Sequence, residues 1–241
     1  MAKQDLLMHT GHRERLREKF VSGHASPAEE IELLLTYVIP RRDVRVLSRR
    51  LIEKFGTAYN VLLAKPEDVM AIPGIGPGAI TFFNLLRSIV SQGYKKHMVD
   101  STVFCDTHHL IEYCRMNCMN KPYEHLHVMY LDIEGRLIED ELHSIGDIDY
   151  AGAYERKIVA KALMNGTVHI VLYHNHPVGG QTVYSTDDLD FTIRLGRMLL
   201  VHNIKIYDHF IVNEYGEVYA MRANGALGEL DKYQADLSRS K

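Results

Sequence analysis

The chain has 241 residues, room for one large domain or two small ones. Hydrophobic residues make up 46% and charged residues 24%, enough to bury a core, while the longest apolar runs, such as residues 31–39, are too short and interrupted to span a bilayer. The net charge of −3 hides an asymmetry: residues 1–98 carry 15 Lys+Arg against 10 Asp+Glu, a balance of +5, and residues 99–241 carry 13 against 21, a balance of −8.

Such a split points to two modules with different partners. The basic half suits nucleic acid, whereas the acidic half lacks the net positive charge that phosphate neutralisation needs. Arg13, Arg15, Arg17 and Lys19 are not followed by an apolar stretch, so no secretory signal is expected. The three cysteines, an odd number, suggest no disulfide framework. Together these features lead to the expectation of a cytoplasmic protein with no membrane partner.

The first half reads as helices. Ser26-Pro27 starts one that carries the apolar run from Glu30 to Val38 and stops before Pro40. Val44, Leu47, Leu51 and Phe55, spaced at three and four, mark a second. A short helix over Pro66 to Met70 leads into Ile72-Pro73-Gly74-Ile75-Gly76-Pro77-Gly78-Ala79, and another runs from there to about Val90. Ser91 to His97 is polar and reads as a linker, which sets the domains at 1–98 and 99–241. The second half alternates. Helices are expected at 107–116, 151–164 and 186–202, and strands at 126–133, 137–145, 167–173, 204–212 and 218–221. The nearly continuous apolar run 167–173 belongs in the middle of a sheet. The fold class is therefore α/β with a mixed sheet, preceded by a small all-α domain.

His174-Asn175-His176 follows directly on that central strand. In extended backbone, residues two apart face the same way, so both imidazoles can meet one ion. Pro177, Gly179 and Gly180 then form a turn, and Ser185-Thr186-Asp187-Asp188 opens a helix. Zinc accepts neutral imidazole nitrogen and Asp oxygen, which makes His174, His176 and Asp188 a candidate ligand set. The alternative for Asp188 is helix capping, since Ser185 and Asp188 stand three apart like a capping box.

His174-Asn175-His176-Pro177 with Ser185, Asp188, Leu189 and Thr192 resembles the signature of the RadC family. That resemblance implies a JAMM (JAB/MPN-like) metal domain, layered like the cytidine deaminases and related to deubiquitinating metallopeptidases. The family pattern places seven residues between the second His and the Ser; here there are eight, 177–184. It also places a glutamate five residues before a glycine, which is Glu141 before Gly146, with Asp147 where the family has Thr. Glu141 is otherwise one of three acidic residues, with Glu139 and Asp140, on an exposed strand. The resemblance implies Zn2+ as cofactor, Glu141 as acid/base, Ser185 as an oxyanion donor, and amide hydrolysis of a peptide or isopeptide substrate. It also implies an association with DNA repair.

Asp208-His209 matches the family pattern as support for the ligands. Cys114 and Cys118, at helical i, i+4 spacing, read as one helix face. The deaminase signature H-x-E with P-C-x-x-C is absent, which argues against base deamination. Residues 72–79 resemble the hairpin of a helix-hairpin-helix motif, with glycines that let a phosphate approach backbone amides. Arg41, Arg42, Arg45 and Arg49 are placed to share a basic face. The resemblance to RadC spans roughly residues 10–213. Three functions follow: a zinc hydrolase; a factor binding DNA through residues 1–98, with a metal that is structural or acts on phosphodiesters; or a scaffold on an inactive JAMM fold.

Overall fold

The computed structural model describes residues 2–146, 153–177 and 183–239, with side chains from residue 11 onward. The chain divides into two compact units, residues 1–89 and 90–241. The division falls inside a single helix, α6, over Pro77–Asp100. The polar stretch 91–97 is thus helical and not a linker. Its one glycine costs a helix about 1 kcal/mol relative to alanine, and burial of Ser91 and Met98, two turns apart on one side, offsets that cost.

The first unit contains α1 (Ala2–Val21), α2 (Pro27–Val38), α3 (Arg45–Phe55), α4 (Ala58–Leu63), α5 (Pro66–Met70) and the start of α6. Ser26 caps α2: its Oγ accepts the Glu29 N–H, and its own N–H donates to Glu29 Oε2 at 2.9 Å. Helix α3 starts at Arg45, and Arg41 sits in a turn with φ of 62°, so the four arginines do not share one helical face. Arg45 and Arg49 alone are one turn apart on α3. Helices α1 and α4 went unread because α1 barely segregates apolar from polar residues and α4 is only six residues long. Ile31, Leu35, Leu47, Leu51, Val61, Ile72, Ile75 and Phe83 make this unit's core.

The second unit is built from α7 (Thr107–Cys118), β1 (His125–Leu131), β2 (Leu137–Ile145), α8 (Ala153–Met164), β3 (His169–Asn175), α9 (Thr186–Leu200), β4 (Lys205–Val212), β5 (Val218–Ala220) and α10 (Gly228–Arg239). Every strand expected from the pattern is present within two residues at each end. The first two residues expected for α8, 151 and 152, and most of the turn 177–184 lie outside the described residues, as does Asp147. No described helix is long and apolar enough to cross a membrane.

The sheet has the order β2-β1-β3-β4-β5. Only β3 and β4 run parallel, and α9 makes the crossover between them. Leu126, Val128, Tyr130, Ile170, Leu172, Ile206 and Ile211 face α8, α9 and α10, forming a core with Ile158, Phe191, Leu195, Leu199 and Leu230. Helix α7 packs against β3 and β4. Because β3 is central, both its faces are covered, which is why its sequence is a continuous apolar run and not an alternating one.

Helix α10, unassigned by the sequence reading, sits on α9 where Gly196 leaves room for Leu230. A Cβ at Gly196 would lie 2.5 Å from Leu230 Cδ2, and Leu230 is buried. Leu230→Ala should cost about 2–4 kcal/mol, and Gly196→Ala about 1 kcal/mol through overpacking. In the Leu230→Ala background the Gly196→Ala change should instead stabilise, by about 0.5–1 kcal/mol, since alanine outranks glycine in a helix. Urea unfolding of the four proteins measures this reversal of sign.

Candidate metal centre

The site forms where β3 hands over to α9. The His176 N–H donates to Val212 O at 2.9 Å, which carries the β3–β4 ladder one residue past Asn175. That bond keeps the backbone extended through His176, so His174 and His176 project to one side. Between them, Asn175 turns the other way and is tied down twice. Its Oδ1 accepts the His125 N–H and its Nδ2 donates to Tyr123 O, both at 2.9 Å. Sequence pattern assigns Asn175 no role; an amide between two candidate ligands is the signal that points to one.

Asp188 meets the histidines from the first turn of α9. Its Oδ1 lies 3.3 Å from His174 Nε2 and its Oδ2 lies 3.5 Å from His176 Nε2. One donor atom from each of the three residues converges within 4.8 Å, and all three residues are buried. Asp188 also closes a capping box: Oδ2 accepts the Ser185 N–H at 2.7 Å and the Ser185 hydroxyl at 2.6 Å, while Ser185 Oγ accepts the Asp188 N–H at 3.0 Å. Capping and facing the histidines are therefore not alternatives. Asp188 does both, because Oδ1 faces His174 while Oδ2, which closes the cap, also lies beside His176. Burial works against ionisation of Asp188, yet the imidazoles of His174 and His176 beside it hold its carboxyl well below the usual carboxylate range.

A relay of hydrogen bonds sets which nitrogen of His174 is free. Thr192 Oγ1 lies 2.6 Å from Asp188 O, a carbonyl that can only accept, so the hydroxyl proton goes there. The same Oγ1, 2.7 Å from His209 Nδ1, is then an acceptor, and His209 Nδ1 carries a proton. His209 is fully buried; desolvation, reinforced by His174, lowers its pKa to about 3, so the ring is neutral and its Nε2 is a lone pair. His174 Nδ1, 2.8 Å away, must donate to it. This leaves the lone pair of His174 Nε2 pointing at the cluster. Thr192, matched in sequence without a role, is the anchor of the relay, and His209 is the support that the sequence suggested.

The chemistry of this donor set fits a cation. His174 Nε2 and His176 Nε2 lie 2.9 Å apart beside a buried carboxylate. Without a cation, the lone pair of His174 Nε2 and the negative charge of Asp188 face one another out of water. One proton can bridge two of these groups; a divalent ion satisfies all three, and two imidazoles with one carboxylate is a set zinc accepts.

Glu141 and Ser185 stand differently. On β1, Val128 pairs with both Glu141 and Leu172, so Glu141 lies on the same sheet face as His174, one row back and two strands across. By strand geometry this is roughly 12 Å between Cα atoms. Its carboxylate is not among the converging donors. It accepts the Tyr130 hydroxyl at 3.0 Å and lies 3.1 Å from Lys161 Nζ. The neighbouring acids separate by strand alternation: Glu139 shares Lys161, while buried Asp140 turns to the opposite face and accepts the hydroxyls of Tyr113 and Tyr173. Cys114 and Cys118 are buried near Asp140, where desolvation pushes both thiols up, so they are packed, protonated groups.

A two-His, one-Asp cluster between a central strand and the next helix makes this an α/β domain with a candidate metal centre. The family model for the RadC-like JAB domain matches residues 104–226, just over half of the chain. A UPF0758 protein of Ruegeria pomeroyi is 32% identical over 90% of this chain and 97% of its own length. A UPF0758 protein of Rhodobacter capsulatus is 29% identical over 88% of this chain and its whole length. The chain belongs to the family of RadC-like JAB domain proteins.

Thr192→Val removes the relay's acceptor with little change of shape. Zinc affinity, measured by chelator competition, should fall about 10–100-fold, and Thr192→Ser should restore it. Unchanged affinity in Thr192→Val would mean that the relay does not orient His174.

Proposed function

We propose that the second unit is a zinc-dependent hydrolase of amide bonds, acting on a peptide or isopeptide. The observation that supports this best is the convergence of His174, His176 and Asp188 on one buried point, with His174 Nε2 freed by the Thr192–His209 relay. These three residues would hold the ion, and three protein ligands are the mark of catalytic rather than structural zinc sites. When bound, such an ion supplies Lewis-acid chemistry, polarising a carbonyl and lowering the pKa of water towards ~7.

The chain's own residues do the rest. Glu141 takes the proton of the attacking water and delivers it to the leaving amine. Tyr130 and Lys161 hold its carboxylate on the ligand side of the sheet, so Glu141 must turn from Lys161 to act. Ser185 donates its hydroxyl hydrogen to the oxyanion that develops on the carbonyl. That hydrogen rests on Asp188 Oδ2 in the free protein, and the Ser185 N–H stays on the same oxygen when the hydroxyl turns away. Thr192 and His209 keep His174 in one tautomer throughout.

Glu141→Gln should keep zinc and lose about 10²–10⁴ in rate. His174→Ala should lose zinc and activity together, and Ser185→Ala should keep zinc and slow turnover by about 10²–10³. A panel of peptides and isopeptide-linked conjugates, assayed with metal analysis, separates these roles. Wild-type turnover in Glu141→Gln would remove Glu141 as the base.

A second reading, binding of DNA by the first unit, is favoured by one observation. The turn 71–76 between α5 and α6 places Gly74 at φ of 105°, and Arg42 Nη2 lies 3.0 Å from where a Cβ at Gly74 would be. A positive charge thus stands beside the glycine hairpin, as phosphate contacts require. The protein should bind duplex DNA without sequence preference and lose affinity steeply with salt, and Arg42→Ala should reduce the log–log salt slope by about one. Absence of salt-sensitive binding would make the hairpin structural.

A further inference from the structure

We propose that His97, Asp106 and His109 form a second divalent-metal site of the zinc class, separate in every ligand from the first. One donor atom from each of the three residues lies within 4.8 Å of the others. They come from the last turn of α6, the N-cap of α7 and the first turn of α7, so the site would join the two helices across the connection 101–106.

The geometry of Asp106 repeats that of Asp188. One oxygen, Oδ1, caps the helix by accepting the His109 N–H at 3.4 Å. The other, Oδ2, is left 2.5 Å from His109 Nδ1. That nitrogen is buried and has no properly directed hydrogen bond, although the carboxylate is close. The His97 ring packs over the His109 ring, with centroids 4.3 Å apart and planes inclined at 42°. Stacking of His97, His109 and Tyr94 accounts for the rings and ion pairing with Asp106 for the short contact, while His109 Nδ1 stays buried without a directed hydrogen bond. A cation among the three groups would satisfy that nitrogen and draw the carboxylate and the second imidazole onto one point.

Donors about 2.0–2.1 Å from a tetrahedral zinc lie roughly 3.3 Å apart. His97 is exposed on its helix and free to rotate, and Asp106 Oδ2 would move back from His109 Nδ1 to reach that spacing. Its exposure also leaves the remaining positions to water, so the site is the weaker and more exchangeable of the two. Two imidazoles and a carboxylate select zinc and its neighbours over calcium or magnesium, which prefer oxygen-only sets.

Tag-free, metal-stripped full-length protein is titrated with zinc by calorimetry, with histidine side-chain ¹H–¹⁵N spectra recorded alongside. Two equivalents are expected, one tight and one weaker, with His97 and His109 resonances shifting at the weaker step. His97→Ala, a change at an exposed position, should weaken the second step at least ~10-fold and leave the first alone. His174→Ala with His176→Ala should do the converse. A single equivalent lost on His97→Ala would support this site and sink the first; a single equivalent lost with His174 and His176 would do the reverse. Two equivalents bound as tightly after His97→Ala as before, or a loss of less than ~10-fold, overturns the proposal.

Discussion

The hydrogen bond from the His176 N–H to Val212 O is a single ladder rung beyond the end of β3, and the site depends on it. Strand β3 is flanked by an antiparallel neighbour, β1, and a parallel one, β4. Chain that leaves a sheet ordinarily turns at once. Here β4 continues far enough to hold one more residue in line, and Asn175 bonds back towards β1 from the other side. With the backbone clamped on both flanks, the alternation of an extended chain puts both imidazoles on the α9 side. The rest of the centre is a consequence of what α9 and β4 then present to them.

What α9 presents is a carboxylate at a helix N-terminus. The Ser185 N–H and hydroxyl satisfy one oxygen and direct the other towards His174. What β4 presents is His209, buried, neutral and fixed by Thr192 one turn further along α9. The same helix therefore supplies a candidate ligand and orients another, through two residues four apart on one face. A protein interior tolerates such a concentration of acceptors only if a cation or a proton neutralises it. That requirement links the packing of α9 on the sheet to the chemistry of the centre.

Glu141 illustrates how a sheet distributes roles. Three successive acids on β2 look equivalent in sequence, yet alternation sends Asp140 into a buried network with Tyr113 and Tyr173 and leaves Glu139 and Glu141 on the face of His174. Lys161 from α8 then holds both of the latter. Only the strand order β2-β1-β3 brings that face across to the centre.

Local pattern was enough for much of this molecule. The Ser26 and Ser185 caps, the strands, and the candidate donors His174, His176 and Asp188 were legible because capping, alternation and spacing are short-range properties. Helix α6 was misread at 91–97, because its support comes from burial of Ser91 and Met98, which composition does not reveal. Likewise, the basic face expected of four arginines dissolved where Arg41 takes a positive φ. Tertiary structure alone decided that Asp188 can cap and face the histidines at once. It also decided that Thr192 sets the tautomer of His174, and that His97 meets Asp106 and His109. Each of these depends on which lone pair faces which proton, and that is settled by distances between chain segments, not by their order.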